Sequence, residues 1–176
     1  MVPGLEVKFA GGAPILSEGH VIEGYGSLFG LTDQGGDAVM PGAFSASLQR
    51  LAGRGDKVRM LWQHDPAKPI GVWDEIREDG KGLWVRGRLL PQVAQAREAV
   101  ALIEAGAIEG LSIGYRTLRA TRDDKGRRML AEVELWEVSL VTFPMLPEAK
   151  LGRKEAEDVS DLAAMLTEAA RALRGA

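Results

Sequence analysis

Gly110-Leu111-Ser112-Ile113-Gly114-Tyr115 sets one serine between two glycines, inside a run that otherwise alternates as a β-strand does. On a strand, successive side chains point to opposite faces. Leu111, Ile113 and Tyr115 then share one face, suited to a core, and Ser112, Gly114 and Arg116 share the other. A serine on the outer face, beside a residue with no side chain, has open space around its hydroxyl where a substrate chain could approach. A small polar residue on a solvated strand face is the plainer reading of the same pattern. Spacing alone leaves both open.

The stretch also spells G-x-S-x-G, the nucleophile elbow of the α/β-hydrolases. That motif needs a strand, a sharp turn and a helix, with the triad in the order serine, acid, histidine. Here the residues after Ser112 continue as strand and hairpin, and both histidines, His20 and His64, precede it. The elbow is therefore excluded.

A serine hydroxyl is a weak nucleophile until a neighbouring base accepts its proton. His20 stands among turn formers ahead of a strand and reads as an exposed loop residue. His64 closes the strand-like run Leu61-Trp62-Gln63-His64 and is followed by Asp65 and Pro66, a strand end of the kind where site residues gather. A structural histidine fits that position equally. A third group should orient the imidazole and stabilise its charge. Asp65, Asp74, Glu132, Glu134 and Glu137 are candidates. Glu137 lies in the apolar run Leu135-Trp136-Glu137-Val138-Ser139-Leu140-Val141, where an unpaired carboxylate would be costly to bury. The same residue could instead face solvent on an edge strand.

The surrounding chain reads as β-rich. Its 176 residues suggest one domain with an appendage, and 22 glycines favour many turns. Strands are expected at Leu5–Phe9, Val21–Phe29, Lys57–Trp62, Ile70–Leu90 (a hairpin turning at Glu78-Asp79-Gly80), Ile108–Ala120 and Met129–Phe143. Thr32–Gly42 reads as a loop, and Pro66 and Pro69 as an irregular segment. Helices are expected at Ala43–Leu51, stopped by Gly53, and at Gln92–Ala105, with an apolar stripe of Val93, Ala96, Val100 and Ile103 stopped by Gly106. The domain should span residues 1–150. Residues 151–176 form a charged, alanine-rich tail whose helix starts at Ser160 and carries Leu162, Met165, Leu166, Ala169 and Leu173 on one stripe.

Composition closes off several functions. The absence of cysteine excludes disulfides, cysteine-ligated zinc and a cysteine nucleophile. Two histidines make a histidine-rich metal site poor, although carboxylates such as Asp33, Asp37 and Asp65 leave a metal hydrolase as a rival. Neither metal nor cofactor is expected. A net charge of −3 with interleaved signs is unlike a nucleic-acid binder. No apolar run approaches the ~20 residues of a membrane span. The first residues lack a basic segment followed by an apolar one, so no secretory signal is expected.

Taken together, Gly24-Tyr25, Asp37, Pro41-Gly42-Ala43-Phe44, Leu61-Trp62-Gln63-His64-Asp65, Pro69-Ile70-Gly71, Gly110–Tyr115 and Trp136–Pro144 resemble the prohead maturation proteases of tailed phages, the HK97 type, over about Val21–Leu151. Prophages and gene-transfer-agent clusters carry relatives. The resemblance implies a fold similar to the herpesvirus assembly protease: a β-rich α+β, assemblin-like, small closed and mostly antiparallel β-barrel of six to seven strands, flanked by helices. It implies a serine endopeptidase with Ser112 as nucleophile, His64 as base and Glu137 as third member. Herpesvirus enzymes place a second histidine in that last role, and this chain has none after Ser112. Backbone N–H groups would form the oxyanion site, with Gly114 and Arg116 as candidate helpers. The implied substrate is the scaffolding segment of the major capsid protein, with self-cleavage, inside the assembling procapsid in the bacterial cytoplasm. Herpesvirus enzymes work as dimers, which raises a homodimer here. A non-catalytic β-barrel capsid or scaffold component is the rival, and it predicts Ser112 and His64 far apart or wrongly oriented.

Overall fold

The computed structural model describes residues 6–10, 15–17, 20–33, 35–108 and 110–143. Along these the chain forms β1 (Glu6–Ala10), β2 (Ile15–Ser17), β3 (Val21–Leu28), β4 (Asp37–Val39), α1 (Ser45–Arg54), β5 (Arg59–Trp62), β6 (Asp65–Glu78), β7 (Gly82–Leu89), α2 (Ala94–Glu104), β8 (Gly110–Arg122) and β9 (Arg128–Val141). The tail expected at 151–176, with its Ser160-capped helix, lies outside the described residues.

The strands join one mixed sheet in the order β1-β8-β9-β5-β6-β7-β3-β2, with β4 beside β9. β9 is the hinge of the topology. It pairs antiparallel with β8 across the Asp123–Gly126 turn, but parallel with both β5 and β4. Laid flat, eight strands would hold β1 and β2 roughly 33 Å apart. Yet Ala10 and Ile15, at the ends of β1 and β2, are separated by four residues, which span at most about 18 Å. The sheet must therefore curl. Gly26 on β3 shows how far: a Cβ there would sit 3.3 Å from Val138 Cγ1 on β9 and 3.4 Å from Ile113 Cγ2 on β8. Strands β8, β9, β5, β6, β7 and β3 form the body of a curled half-barrel. Among the described residues no ladder joins β1 to β2 or β3, so the closed barrel expected from the sequence goes beyond this arrangement.

The concave face is filled by Ile22, Met60, Ile70, Leu83, Val85, Leu89, Leu111, Ile113, Tyr115, Leu135 and Val138, all at most 2 % exposed. Burying a side chain of this kind contributes about 1.5–3 kcal/mol, and the set fixes the register of every strand that carries it. Met60 packs where Gly71 and Gly87 bring β6 and β7 close; a Cβ at Gly87 would meet Trp73 Cε3 at 2.8 Å.

The structure departs from the sequence expectation at four places. Thr32–Gly42 is not all loop, because β4 runs inside it; three residues are too few to show alternation. Pro66 and Pro69 do not break the chain. They lie on β6 before its pairing with β7 begins at Gly71, so a missing N–H there costs no bond to β7. β2, also three residues long, carried no readable pattern. Helix α1 starts later than expected and passes through Gly53, stopping at Gly55, whose φ of 70° is the left-handed cap. Its start is fixed by a carboxylate from β6: the Phe44 N–H donates to Glu78 Oε1 (2.9 Å), and Ser45 Oγ donates to Glu78 Oε2 (2.5 Å). Ser47 is buried on the other side, where its hydroxyl accepts from the Leu135 N–H and ties α1 to β9. α2 lies within the expected span, ends at Glu104 and is followed by the left-handed Gly106, with Ala96 and Ala99 buried.

β1 is attached at one end by an ion-pair cluster. Glu6 Oε1 accepts from the Thr117 N–H (3.0 Å) and Glu6 Oε2 meets Arg128 Nη1 (2.7 Å), while Arg128 also holds Asp37 (2.9 Å) and Thr117 Oγ1 (2.9 Å). Burial alone would push the Glu6 carboxyl up, but the hydrogen bonds from Arg128 and Thr117 outweigh it and hold Glu6 below its ordinary 4.5. A depressed carboxyl contributes stability above its unfolded value and loses it as pH falls through the folded one. The amides of β1 should therefore lose hydrogen-exchange protection below about pH 4.5, ahead of those of β9, and Glu6→Gln should abolish that acid step.

Candidate active site

Three adjacent strands assemble the site. In the β8–β9 ladder Ser112 is opposite Ser139, and Gly114 is opposite Glu137. Directly opposed residues share a face, so these four residues lie together, back to back with the core residues Ile113 and Val138. Glu137 leans over Gly114, and a Cβ at 114 would collide with its carboxylate oxygen. The second glycine of the motif is thus the space that Glu137 occupies. Past this point the register shifts, and Tyr115 opposes Leu135.

His64 comes from the neighbouring strand pair. β5 and β6 are joined by the two-residue turn Gln63-His64, flanked by the paired residues Trp62 and Asp65. Both turn residues are left-handed, with φ of 51° and 60°. That is the backbone of a type I′ hairpin, which asparagine and glycine enter easily. For residues with a Cβ it costs roughly 1–2 kcal/mol each. Bonds to β9 and the residue after it offset the strain: Gln63 N–H donates to Leu140 O (3.0 Å), His64 N–H to Ser139 Oγ (3.2 Å), and Gln63 Nε2 to Thr142 Oγ1 (2.7 Å). The turn is therefore fastened to the strand that carries Glu137.

From there the imidazole bridges β9 and β8. Nδ1 lies 2.5 Å from Glu137 Oε1, and Nε2 lies 2.7 Å from Ser112 Oγ. A carboxylate can only accept, so Nδ1 carries the hydrogen and donates it. Nε2 then has its lone pair toward the serine hydroxyl. Glu137 is 3 % exposed and its other oxygen, Oε2, accepts from Ser139 Oγ at 2.5 Å. Ser139 thus donates to the carboxylate and accepts from the His64 backbone, fixing both partners with one hydroxyl. The arrangement can move a proton from Ser112 to His64 while Glu137 stabilises the resulting imidazolium.

Of the five acids weighed in the sequence, Glu137 is the one at the imidazole. Asp65 Oδ1 accepts from the Ala67 N–H, Asp74 pairs with Arg88 (2.8 Å), Glu132 faces Arg50 (3.8 Å) and Glu134 pairs with Arg116 (2.8 Å). Arg116 is therefore engaged on an exposed stretch of β8, about 13 Å along the strand from Ser112, and is not drawn into the constellation. Asp33 and Asp37 stay together at β4, where Asp37 meets Arg128, and no cluster able to hold a metal ion occurs among the described residues. His20 is half-buried ahead of β3 rather than exposed.

Two features differ from the sequence reading. Ser139 was not picked out as a site residue, although its parity with Glu137 on a buried strand was a usable signal. Ser112 is not on an open face: it is 0 % exposed. On that face His64 reaches across to Ser112 and Ser139 lies directly opposite it, while β1 pairs along the far edge of β8.

Ser139→Ala removes a donor from a buried carboxylate and an acceptor from a strained turn. It should lower unfolding free energy by about 1.5–3 kcal/mol in denaturant titration, the cost of a lost bond to a charged group. An unchanged midpoint would show that Ser139 does not hold Glu137.

The chain is similar to known proteins. The family described as Caudovirus prohead serine protease matches residues 12–162. The prohead protease of Enterobacteria phage HK97 is 36% identical over 159 residues, covering 87% of this chain and 66% of that protein, so the chain spans about two thirds of that relative's length. The solved structure of the bacteriophage T4 capsid assembly protease is similar with a TM-score of 0.63 at 17% identity, covering 82% of this chain and 100% of that one. At that identity the likeness speaks for the fold.

Proposed function

The chain belongs to the Caudovirus prohead serine protease family, and we propose that it is a serine endopeptidase of capsid maturation in which Ser112, His64 and Glu137 are the working groups. The observation that carries the reading is the 2.7 Å approach of His64 Nε2 to Ser112 Oγ, with Glu137 on the other ring nitrogen. The rival reading, a non-catalytic capsid component, predicts the serine and histidine far apart or wrongly oriented, and the 2.7 Å approach speaks against it.

In the proposed reaction Ser112 Oγ attacks the scissile carbonyl carbon as its proton passes to His64 Nε2. Glu137 holds the Nδ1 hydrogen and offsets the imidazolium charge. The C–N bond breaks as His64 returns the proton to the leaving amine. Water, deprotonated by the same nitrogen, then attacks the acyl ester and releases Ser112. Backbone N–H groups would stabilise the oxyanion.

The substrate in this reading is the scaffolding segment of the major capsid protein, with self-cleavage, inside the procapsid within the host bacterium. What supports it is the family and the HK97 relative, a prohead protease. Prophage and gene-transfer-agent sources fit the same reading. So do a homodimer and a division into a protease domain (1–150) and a C-terminal helical tail (151–176).

Co-expression with the cognate capsid protein tests the assignment. Ser112→Ala and His64→Ala should each leave the capsid protein full length, with rates down roughly 10⁶-fold. Glu137→Gln should retain more, with a loss of roughly 10⁴-fold, because it disturbs the tautomer and not the nucleophile. Normal processing by the Ser112 variant would sink the proposal.

A further inference from the structure

β9 changes partners along one side. β4 leaves it at Leu130, and β5 joins it only at Glu137, opposite Arg59. Between these points α1 and the residues leading into it stand where a strand would: Ala43 O accepts from the Val133 N–H, and Ser47 Oγ accepts from the Leu135 N–H. A helix roughly 10–12 Å across cannot lie at the roughly 4.8 Å spacing of a neighbouring strand. A cavity of about 440 Å³ opens where α1 and the chain leading to β5 fork from β9. Four cations line it, Arg50, Arg54, Lys57 and Arg59, against two acids, Asp56 and Glu134. Glu134 is already paired with Arg116, and Arg50 meets Glu132 at 3.8 Å. Arg54 and Arg59 enter no ion pair among the described residues. In a chain of net charge −3 this is a local excess of positive charge. Trp136 supplies a half-buried wall. It is the extra residue of a bulge, since Gly114 opposes Glu137 and Tyr115 opposes Leu135. Bulges re-aim a side chain, often beside a reacting centre.

The cavity adjoins the serine site. Arg59, directly opposite Glu137, shares its face of the sheet. Ser139 is opposite Ser112, and Trp136 and Glu134 lie farther along β9, roughly 10 and 17 Å from Ser139. An extended peptide covers that distance in about three to five residues. We propose that the cavity is a second recognition site for the substrate chain, taking an acidic side chain about three to five residues from the bond presented to Ser112. Arg54 and Arg59 hold the carboxylate, because the guanidinium fork matches its two oxygens. The apolar stem of the same side chain lies against the Trp136 ring. Asp56 and Glu134 in the lining count against a polyphosphate or a nucleic-acid strand, which would carry several charges past them. A single carboxylate meets a net attraction. That the ligand is a substrate peptide rests on the protease reading, but its binding is measured without catalysis.

The full-length Ser112→Ala chain, isotopically labelled with nitrogen, is titrated with the acetylated peptide amides SASAEASAS and SASAQASAS. NMR reads the Trp136 indole N–H and the side-chain N–H groups of Arg54 and Arg59. The glutamate peptide should bind roughly five- to tenfold more tightly than its glutamine counterpart. R54Q/R59Q should erase that preference at the Trp136 indole. Arg122→Gln, at the exposed far end of β8, should leave it intact. Equal affinity for the two peptides, or a preference that survives R54Q/R59Q, would overturn the proposal. So would inorganic tripolyphosphate moving the same signals at a lower concentration than the glutamate peptide, which would mark a polyphosphate site. With the cognate capsid protein as substrate and Ser112 present, R54Q/R59Q should raise KM roughly five- to tenfold and keep kcat within about twofold. A loss confined to kcat would count against a recognition site. Should the peptides bind as stated while the unmodified chain cleaves no capsid protein, the pocket stands and the protease reading fails.

Discussion

A carboxylate buried to 3 % exposure constrains everything around it. Glu137 is tolerable inside the protein because both of its oxygens are bonded, Oε1 to His64 Nδ1 and Oε2 to Ser139 Oγ. Each partner then imposes a condition on the fold. The carboxylate needs the empty space over Gly114. Ser139 must share its strand face, which fixes the β9 register. The imidazole must arrive from a third strand, which requires β5 to run beside β9. Remove any of these and a buried charge is left without a partner.

That third strand shows how the fold provides for the site. A parallel β5–β9 neighbour relation brings the end of β5 alongside Ser139 and Leu140, and a tight turn there swings His64 toward β8. The turn holds two residues with a Cβ in the left-handed region, an expense met by hydrogen bonds to β9. Strain of this kind persists where the surroundings over-determine it, and it often marks functional positions. The strain, the buried acid and the serine all converge on one short length of β9.

The outer strand adds a second layer. A sheet edge exposes unpaired backbone groups that another strand can take up. Here the edge next to the serine is filled by the chain's own β1, tied at one corner through Glu6 and Arg128.

Periodicity made β8, β9, the β6–β7 hairpin and both helices legible, because each is long enough for a face to repeat. The three-residue strands β2 and β4 are shorter than any repeat and were not. Composition and chain order narrowed the chemistry to Ser112 with His64, since two histidines leave little choice. They left five acids open, and the apolar setting of Glu137 could mean a buried partner or an exposed edge. Only the tertiary structure chose among them: register across β8 and β9, and the route of β5 beside β9, are long-range pairings that no local pattern encodes. The same holds for the exposure of Ser112. Alternation assigned it correctly to the face away from the core, but what lies against it there, His64 from the β5–β6 turn and Ser139 on β9, is set by long-range pairing.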